Sequence, residues 1–282
     1  MERRAGSVSA KARGGNFLVA RGVGAASRGR TAARRRALSE GHQGQYERSD
    51  LSGRLVNFSA GPACIYEDVL LEAQKDLLNF DDGATGLSVM EMSHRGKAFT
   101  RIIEEAEADL RELLSIPENY SVLFMQGGAT AQFAAIPYNL GWRENQEDLL
   151  YTPRADYLTT GSWSKKALAE AKKVGMDANV VATGDNKSIP DASEWSFGGR
   201  DPQESKYFHV CANETIQGVE FKHSPALPSA EVPLVADMSS NFCSKPVNVS
   251  DYGVIYAGAQ KNVGPAGVTI VIVRKDLLGN PR

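Results

Sequence analysis

The chain has 282 residues, 42% of them hydrophobic and 23% charged, which is ordinary globular composition and long enough for one large α/β domain or two smaller ones. A formal net charge of −2 excludes a polyanion-binding character spread over the whole chain, so no nucleic-acid partner is expected. The three cysteines (Cys64, Cys211, Cys243) form no CxxC pair and the four histidines (His42, His94, His209, His223) lack ligand spacing, which argues against a disulfide scaffold or a metal site and predicts a reducing compartment.

Residues 1–53 stand apart from the rest. From Arg3 to Ser39 there is no Asp or Glu, while basic residues recur from Arg3 and Arg4 to Arg34, Arg35 and Arg36, spaced by Ser, Ala and Gly. An Arg-rich, acid-poor leader without a long apolar centre predicts a disordered organellar targeting extension, to plastid or mitochondrion. The alternative is a basic arm on a cytoplasmic protein. No apolar run approaches the roughly 18 residues that a membrane span needs.

The folded domain is expected over 54–282. Leu70 to Phe80 has helical spacing. Gly96 to Ile116 is the clearest helix, with Phe99, Ile102, Ile103, Ala106, Leu110, Leu113 and Leu114 on one stripe and Pro117 to stop it. A strand at Tyr120–Met125 is broken by Gln126-Gly127-Gly128-Ala129-Thr130, and a helical stretch follows. The stretch 141–153 is long and acidic. Ala155–Thr160 reads as a strand and Ser164–Val174 as a helix. Residues 183–206 are polar, with Pro190, Gly198, Gly199 and Pro202, and predict a surface excursion. Strands are expected at Tyr207–Cys211, Leu234–Ala236, Val254–Ala257 and Val268–Val273. Strands alternating with helices predict an α/β fold with a mostly parallel sheet and helices on both faces.

In such sheets ligands sit at the carboxyl ends of the strands. Five positions there carry chemistry, and each has a plainer alternative. Gly127-Gly128-Ala129-Thr130 opens a helix whose N–H groups suit a phosphate, or is simply a tight turn. Trp163 offers a face for a planar ring, or packs in the core. The Thr215 hydroxyl can donate to a ring substituent, or cap the next segment. Asp237 ends an apolar strand, where a carboxylate needs a partner such as a pyridinium nitrogen, or caps the Met238-Ser239-Ser240 segment. Lys261, among small residues, can become a neutral amine able to form a Schiff base, or is a solvated surface cation. Their order along the chain is that of a pyridoxal phosphate site.

The segments Val56-Asn57-Phe58-Ser59-Ala60-Gly61-Pro62, Met92-Ser93-His94-Arg95-Gly96, Phe124-Met125-Gln126-Gly127-Gly128, Thr160-Gly161-Ser162-Trp163-Ser164, Cys211-Ala212-Asn213-Glu214-Thr215, Ala236-Asp237-Met238-Ser239-Ser240 and Ala257-Gly258-Ala259-Gln260-Lys261-Asn262 carry a family resemblance. Over about 55–282 the chain resembles the phosphoserine aminotransferases, fold-type-I pyridoxal phosphate enzymes of serine biosynthesis that act as homodimers. The resemblance implies the large domain of that fold, with a seven-stranded-type sheet. It implies that Lys261 carries the cofactor as a Schiff base. Ala129 and Thr130, helped by Gln260, would hold the cofactor phosphate. Trp163 would stack on the ring, Thr215 bond its oxygen and Asp237 its nitrogen. Arg95 would pair with the substrate carboxylate, and His94 and Ser59 would lie near the substrate. Glutamate would give its amino group to the cofactor, and 3-phosphohydroxypyruvate would receive it to become phosphoserine, with Lys261 moving the protons. Members of the family continue beyond the lysine strand by a domain's length; the small C-terminal domain, residues for the substrate phosphate and an Asn-Thr pair that crosses the dimer would lie outside this chain. A related class-V enzyme such as a desulfurase, or an inactive truncated fragment, is the competing reading. The Ser93-His94-Arg95 block favours the phosphoserine aminotransferase reading over a desulfurase.

Overall fold

The computed structural model describes residues 57, 61–81, 83–142 and 151–279. The basic extension, Ser59 and most of the acidic stretch 141–153 lie outside them. In chain order the elements are α1 (Glu67–Leu78), α2 (Lys97–Leu114), β1 (Tyr120–Met125), α3 (Gly128–Ile136) with a π-helical continuation Pro137–Gly141, β2 (Arg154–Thr159), α4 (Ser162–Lys173), β3 (Asp177–Thr183), β4 (Phe208–Cys211), β5 (Asn213–Glu214), β6 (Val219–Glu220), β7 (Leu234–Asp237), β8 (Val254–Gly258) and β9 (Thr269–Arg274).

Seven strands form one sheet in the order β1-β9-β8-β7-β4-β2-β3. Four neighbouring pairs (β8 with β7, β7 with β4, β4 with β2, β2 with β3) are parallel, and β9 runs antiparallel to both β8 and β1. The expected mostly parallel sheet is therefore present, with one reversed strand inserted near an edge. Because β9 follows β8 as an antiparallel neighbour, the chain leaves β8 through a short loop over 259–268. That loop carries Lys261 and is held by backbone bonds from Ala259 to Val268 and from Gly264 to Ala259.

The strands alternate with a period of two, and each face has its own core. On one face lie Leu158, Phe208, Val210, Leu234, Ala236, Ile255, Ile270 and Ile272, covered by Leu110 and Leu114 of α2. On the other lie Ala155, Tyr157, Val235, Val254, Tyr256, Val271 and Val273, covered by Phe133 and Ile136 of α3 and by Ala167 and Ala171 of α4. Helices thus flank both faces. α2 ends where Ser115 turns left-handed (φ 52°), and the Ile116 N–H bonds back to the Arg111 carbonyl. Pro117 then prevents continuation. The Arg111 guanidinium donates to the carbonyls of Pro117 and Tyr120, tying that helix end to the start of β1.

The 183–206 excursion runs over the sheet and is anchored there. Trp195 stacks on Phe208 with ring centroids 5.2 Å apart. Arg154, at the start of β2, is buried and donates to the Phe197 and Asp201 carbonyls. It also pairs with buried Asp156, which in turn accepts from Asn179 and Ser205. Each buried charge here has partners, as burial demands.

Candidate active site

The carboxyl ends of the central strands open onto a cleft of about 230 Å³. Ala129, Trp163, Thr215, Asp237, Gln260 and Lys261, drawn from five different chain segments, all line it.

At one end α3 begins. Gly127 precedes it with φ +95°, and Gly128 has φ +66°. Gly127 offers this helix no side-chain cap, so its first N–H groups lack that acceptor. Small residues make the approach possible: a Cβ on Gly127 would stand 2.5 Å from the Ala131 Cβ. Gly127→Ala is expected to cost about 1–2 kcal/mol for the left-handed backbone alone, read as a lower urea midpoint at unchanged slope. Ala129 lines the cleft; Thr130, in the same first turn, is exposed.

Trp163 stands in the first turn of α4, half-buried, packed partly against the core beneath it. The Lys166 ammonium lies 4.3 Å from its ring centroid. Trp163 packs against the core and also lines the cleft. Thr215 follows β5, in the turn to β6, and caps no helix. The β5–β6 hairpin was not among the expected elements. Neither was the role of Glu214, which is fully buried and accepts hydrogen bonds from the N–H groups of Trp163 and Ser164.

Asp237 ends β7 at 4% exposure. Its Oδ1 accepts from the Ser239 N–H at 2.9 Å and from the Ser239 Oγ at 2.6 Å. The Ser239 Oγ accepts in turn from the Gly258 N–H at the end of β8. The capping alternative is thus also realised, as a two-residue turn. Burial above all raises this carboxyl to about 6; the Ser239 bonds pull it down and the Glu214 charge adds to the rise. Lys261 lies between buried and exposed and donates to the Gly61 carbonyl. Partial burial lowers its pKa, in the direction of a neutral amine.

His94 and Arg95 are exposed on the turn before α2, and neither lines this cleft. Burial, then the Asp237 and Glu214 charges, push the Cys211 thiol far up, and burial pushes Cys243 to about 11. Neither is suited to attack as a thiolate. Among the described residues no three His, Cys, Asp or Glu side chains are grouped to hold a metal, and no helix is long and apolar enough to cross a membrane.

This fold is that of the pyridoxal phosphate-dependent aminotransferases, and sequence comparison agrees. The family model of class-V aminotransferases matches residues 55–282, so the chain belongs to the class-V aminotransferase family. Within it, the chain is 56% identical over 229 residues to phosphoserine aminotransferase 2, chloroplastic, of Arabidopsis thaliana, covering 81% of this chain and 51% of that protein. It is 51% identical over 231 residues to the phosphoserine aminotransferase of Aromatoleum aromaticum, covering 80% and 60%. Among solved structures, the PLP-bound phosphoserine aminotransferase from Trichomonas vaginalis superposes with a TM-score of 0.71 at 41% identity, covering 81% of this chain and 61% of that one. The chain therefore spans about half to three-fifths of the length of these relatives.

Proposed function

We propose that this chain carries the cofactor site of a phosphoserine aminotransferase, binding pyridoxal 5′-phosphate and exchanging an amino group between glutamate and 3-phosphohydroxypyruvate. One observation supports the reading: a single cleft is lined by Ala129, Trp163, Thr215, Asp237, Gln260 and Lys261, whose chemistry suits the parts of that cofactor. The uncapped N-terminus of α3 suits a phosphate dianion. Asp237 is a buried carboxylate bonded only to Ser239 among the described hydrogen bonds, and a cationic ring nitrogen would compensate its charge. Lys261, with its lowered pKa, faces the same space.

When bound, the cofactor supplies an electron sink for the electrons released at the substrate Cα. The chain's residues would do the rest. The N–H groups of Ala129 and Thr130, with Gln260, would hold the phosphate. Trp163 would cover one face of the ring. Thr215 would donate to the ring oxygen and Asp237 would keep the ring nitrogen protonated. The Lys261 amine would hold the cofactor covalently between turnovers and, once released, carry the proton taken from the substrate Cα. Arg95, whose planar guanidinium matches a carboxylate, would bind the substrate together with His94 and Ser59. We further propose two chain regions, a targeting extension over 1–53 and the catalytic large domain over 54–282. A homodimeric assembly and a plastid location complete the reading; the chloroplastic names of the Arabidopsis relatives favour plastid over mitochondrion.

The test is titration of the chain with pyridoxal 5′-phosphate, followed by absorbance. A visible band of a lysine-linked cofactor is expected, and phosphoserine with 2-oxoglutarate should then bleach and restore it. Absence of the band sinks the cofactor assignment. Sulfide released from cysteine, with no response to phosphoserine, would replace the substrate assignment by a desulfurase.

A further inference from the structure

The cofactor reading requires Trp163 and Thr215, which line the same cleft, to hold a fixed relation to one another. They come from α4 and from the β5–β6 hairpin, which are about 50 residues apart in sequence. The N-cap of α4 is Gly161, a residue with no side chain to cap anything. The N–H groups of the first turn are instead satisfied from the hairpin. Glu214 Oε2 accepts from the Trp163 N–H at 2.8 Å, and Oε1 accepts from the Ser164 N–H at 2.8 Å and from the Ser164 hydroxyl. Gln217 makes a second, reciprocal pair: its Nε2 donates to the Ser162 Oγ at 2.7 Å and its Oε1 accepts from the Ser162 N–H at 3.3 Å. The fit between hairpin and helix has no spare room. A Cβ on Gly161 would stand 2.7 Å from the Gln217 Oε1 and 2.7 Å from the Glu214 Cδ.

We infer that Glu214 is a positioning residue that couples the two walls of the cofactor slot, fixing the Trp163 ring relative to Thr215 before any ligand binds. The inference rests on the cofactor reading above. Its physical basis is that all three groups on the Glu214 carboxylate are donors, and they stand at the positive end of a helix. The site therefore demands an acceptor-only group. A glutamine can keep the Ser164 bonds through its oxygen, but its NH₂ then confronts the Trp163 N–H, and that bond is lost. Glu214→Gln is thus a selective cut between hairpin and tryptophan. Gly161→Ala attacks the same contact from the other side, with the carboxylate intact. Gln217→Ala removes only the outer pair and is the mild control.

The experiment uses the full chain, with and without pyridoxal 5′-phosphate. In the cofactor-free protein, amide exchange at Trp163 and Ser164 should accelerate in Glu214→Gln and Gly161→Ala. With cofactor, both variants should bind pyridoxal 5′-phosphate about 10-fold more weakly, because a Trp163 wall that is no longer preorganised must be ordered on binding. The induced circular dichroism of the bound ring should also diminish, because it reports ring orientation in a chiral slot. A structural role alone would lower the melting temperature without changing that dichroism per bound cofactor. Gln217→Ala should show the same changes on a smaller scale, which keeps the test open if the stronger variants unfold. Unchanged exchange, or affinity within twofold of the parent with unaltered dichroism, overturns the inference. If the parent takes up no cofactor, the cofactor reading fails, and the exchange rates alone then decide whether the clamp exists.

Discussion

Lys261→Ala is expected to eliminate the lysine-linked absorbance of the cofactor and to lower transamination by about 10²–10⁴-fold, the contribution typical of a positioned proton-transfer group. The expectation follows from where the fold puts this amine. β8 delivers the chain to the cleft, and the 259–268 loop is closed by backbone bonds, so Lys261 is presented from a braced turn. Its Nζ reaches the Gly61 carbonyl across the cleft, and partial burial moves its pKa down. A lower pKa places more of the amine in its neutral, nucleophilic form near neutral pH. The variant should still bind the cofactor without the covalent bond, because the α3 N-terminus and Asp237 are untouched. Borohydride reduction of the loaded parent, followed by peptide mass, checks the assignment directly: the label should sit on Lys261. A label on another lysine, or an unaltered visible band in the variant, would contradict it.

Much of this site was legible in the sequence because its residues occupy strand ends. β8 and β9 announce themselves as short apolar runs, since they are buried on both faces, and β1, whose Leu123 and Met125 are exposed, as a short run of β-formers. Once the ends of β1, β7 and β8 are known, Gly128, Asp237 and Lys261 fall at the sheet's carboxyl edge by topology alone. What stayed hidden depends on contacts across sequence. β3 is an edge strand in which Asp177 and Asn179 interrupt the apolar pattern, so its pairing with β2 left no periodic trace. β5 and β6 are two residues each, too short for any period. Glu214 reads as one more loop acid, and only the fold shows that it caps a helix about 50 residues upstream. For Arg95 and His94 the family resemblance implies substrate contact, and both stand exposed outside the described cleft. Their role depends on what approaches the turn before α2.

Asp237→Asn is expected to stabilise the cofactor-free chain while weakening its hold on the cofactor. Asp237 is buried, and its pKa of about 6 in the folded chain stands above its ordinary 3.8. Between about pH 4 and pH 6 the folded state keeps a proton that the unfolded state has lost, so stability falls as pH rises through that window. A rise of about two units, at about 1.36 kcal/mol each, makes the buried charge cost about 3 kcal/mol by neutral pH. Asparagine keeps an oxygen for the Ser239 N–H and hydroxyl but carries no charge, so that cost disappears. Urea unfolding without cofactor should therefore show parent and variant nearly equal near pH 4 and the variant more stable, by up to about 3 kcal/mol, near pH 7.5. Adding pyridoxal 5′-phosphate should reverse the order, because only the parent offers its ring nitrogen a negative partner. A variant that is less stable than the parent at pH 7.5 without cofactor would show that burial is not what governs this carboxyl. The same burial that destabilises the cofactor-free chain would make Asp237 a strong partner for a pyridinium, since an ion pair in a dry cleft is screened far less than one in water.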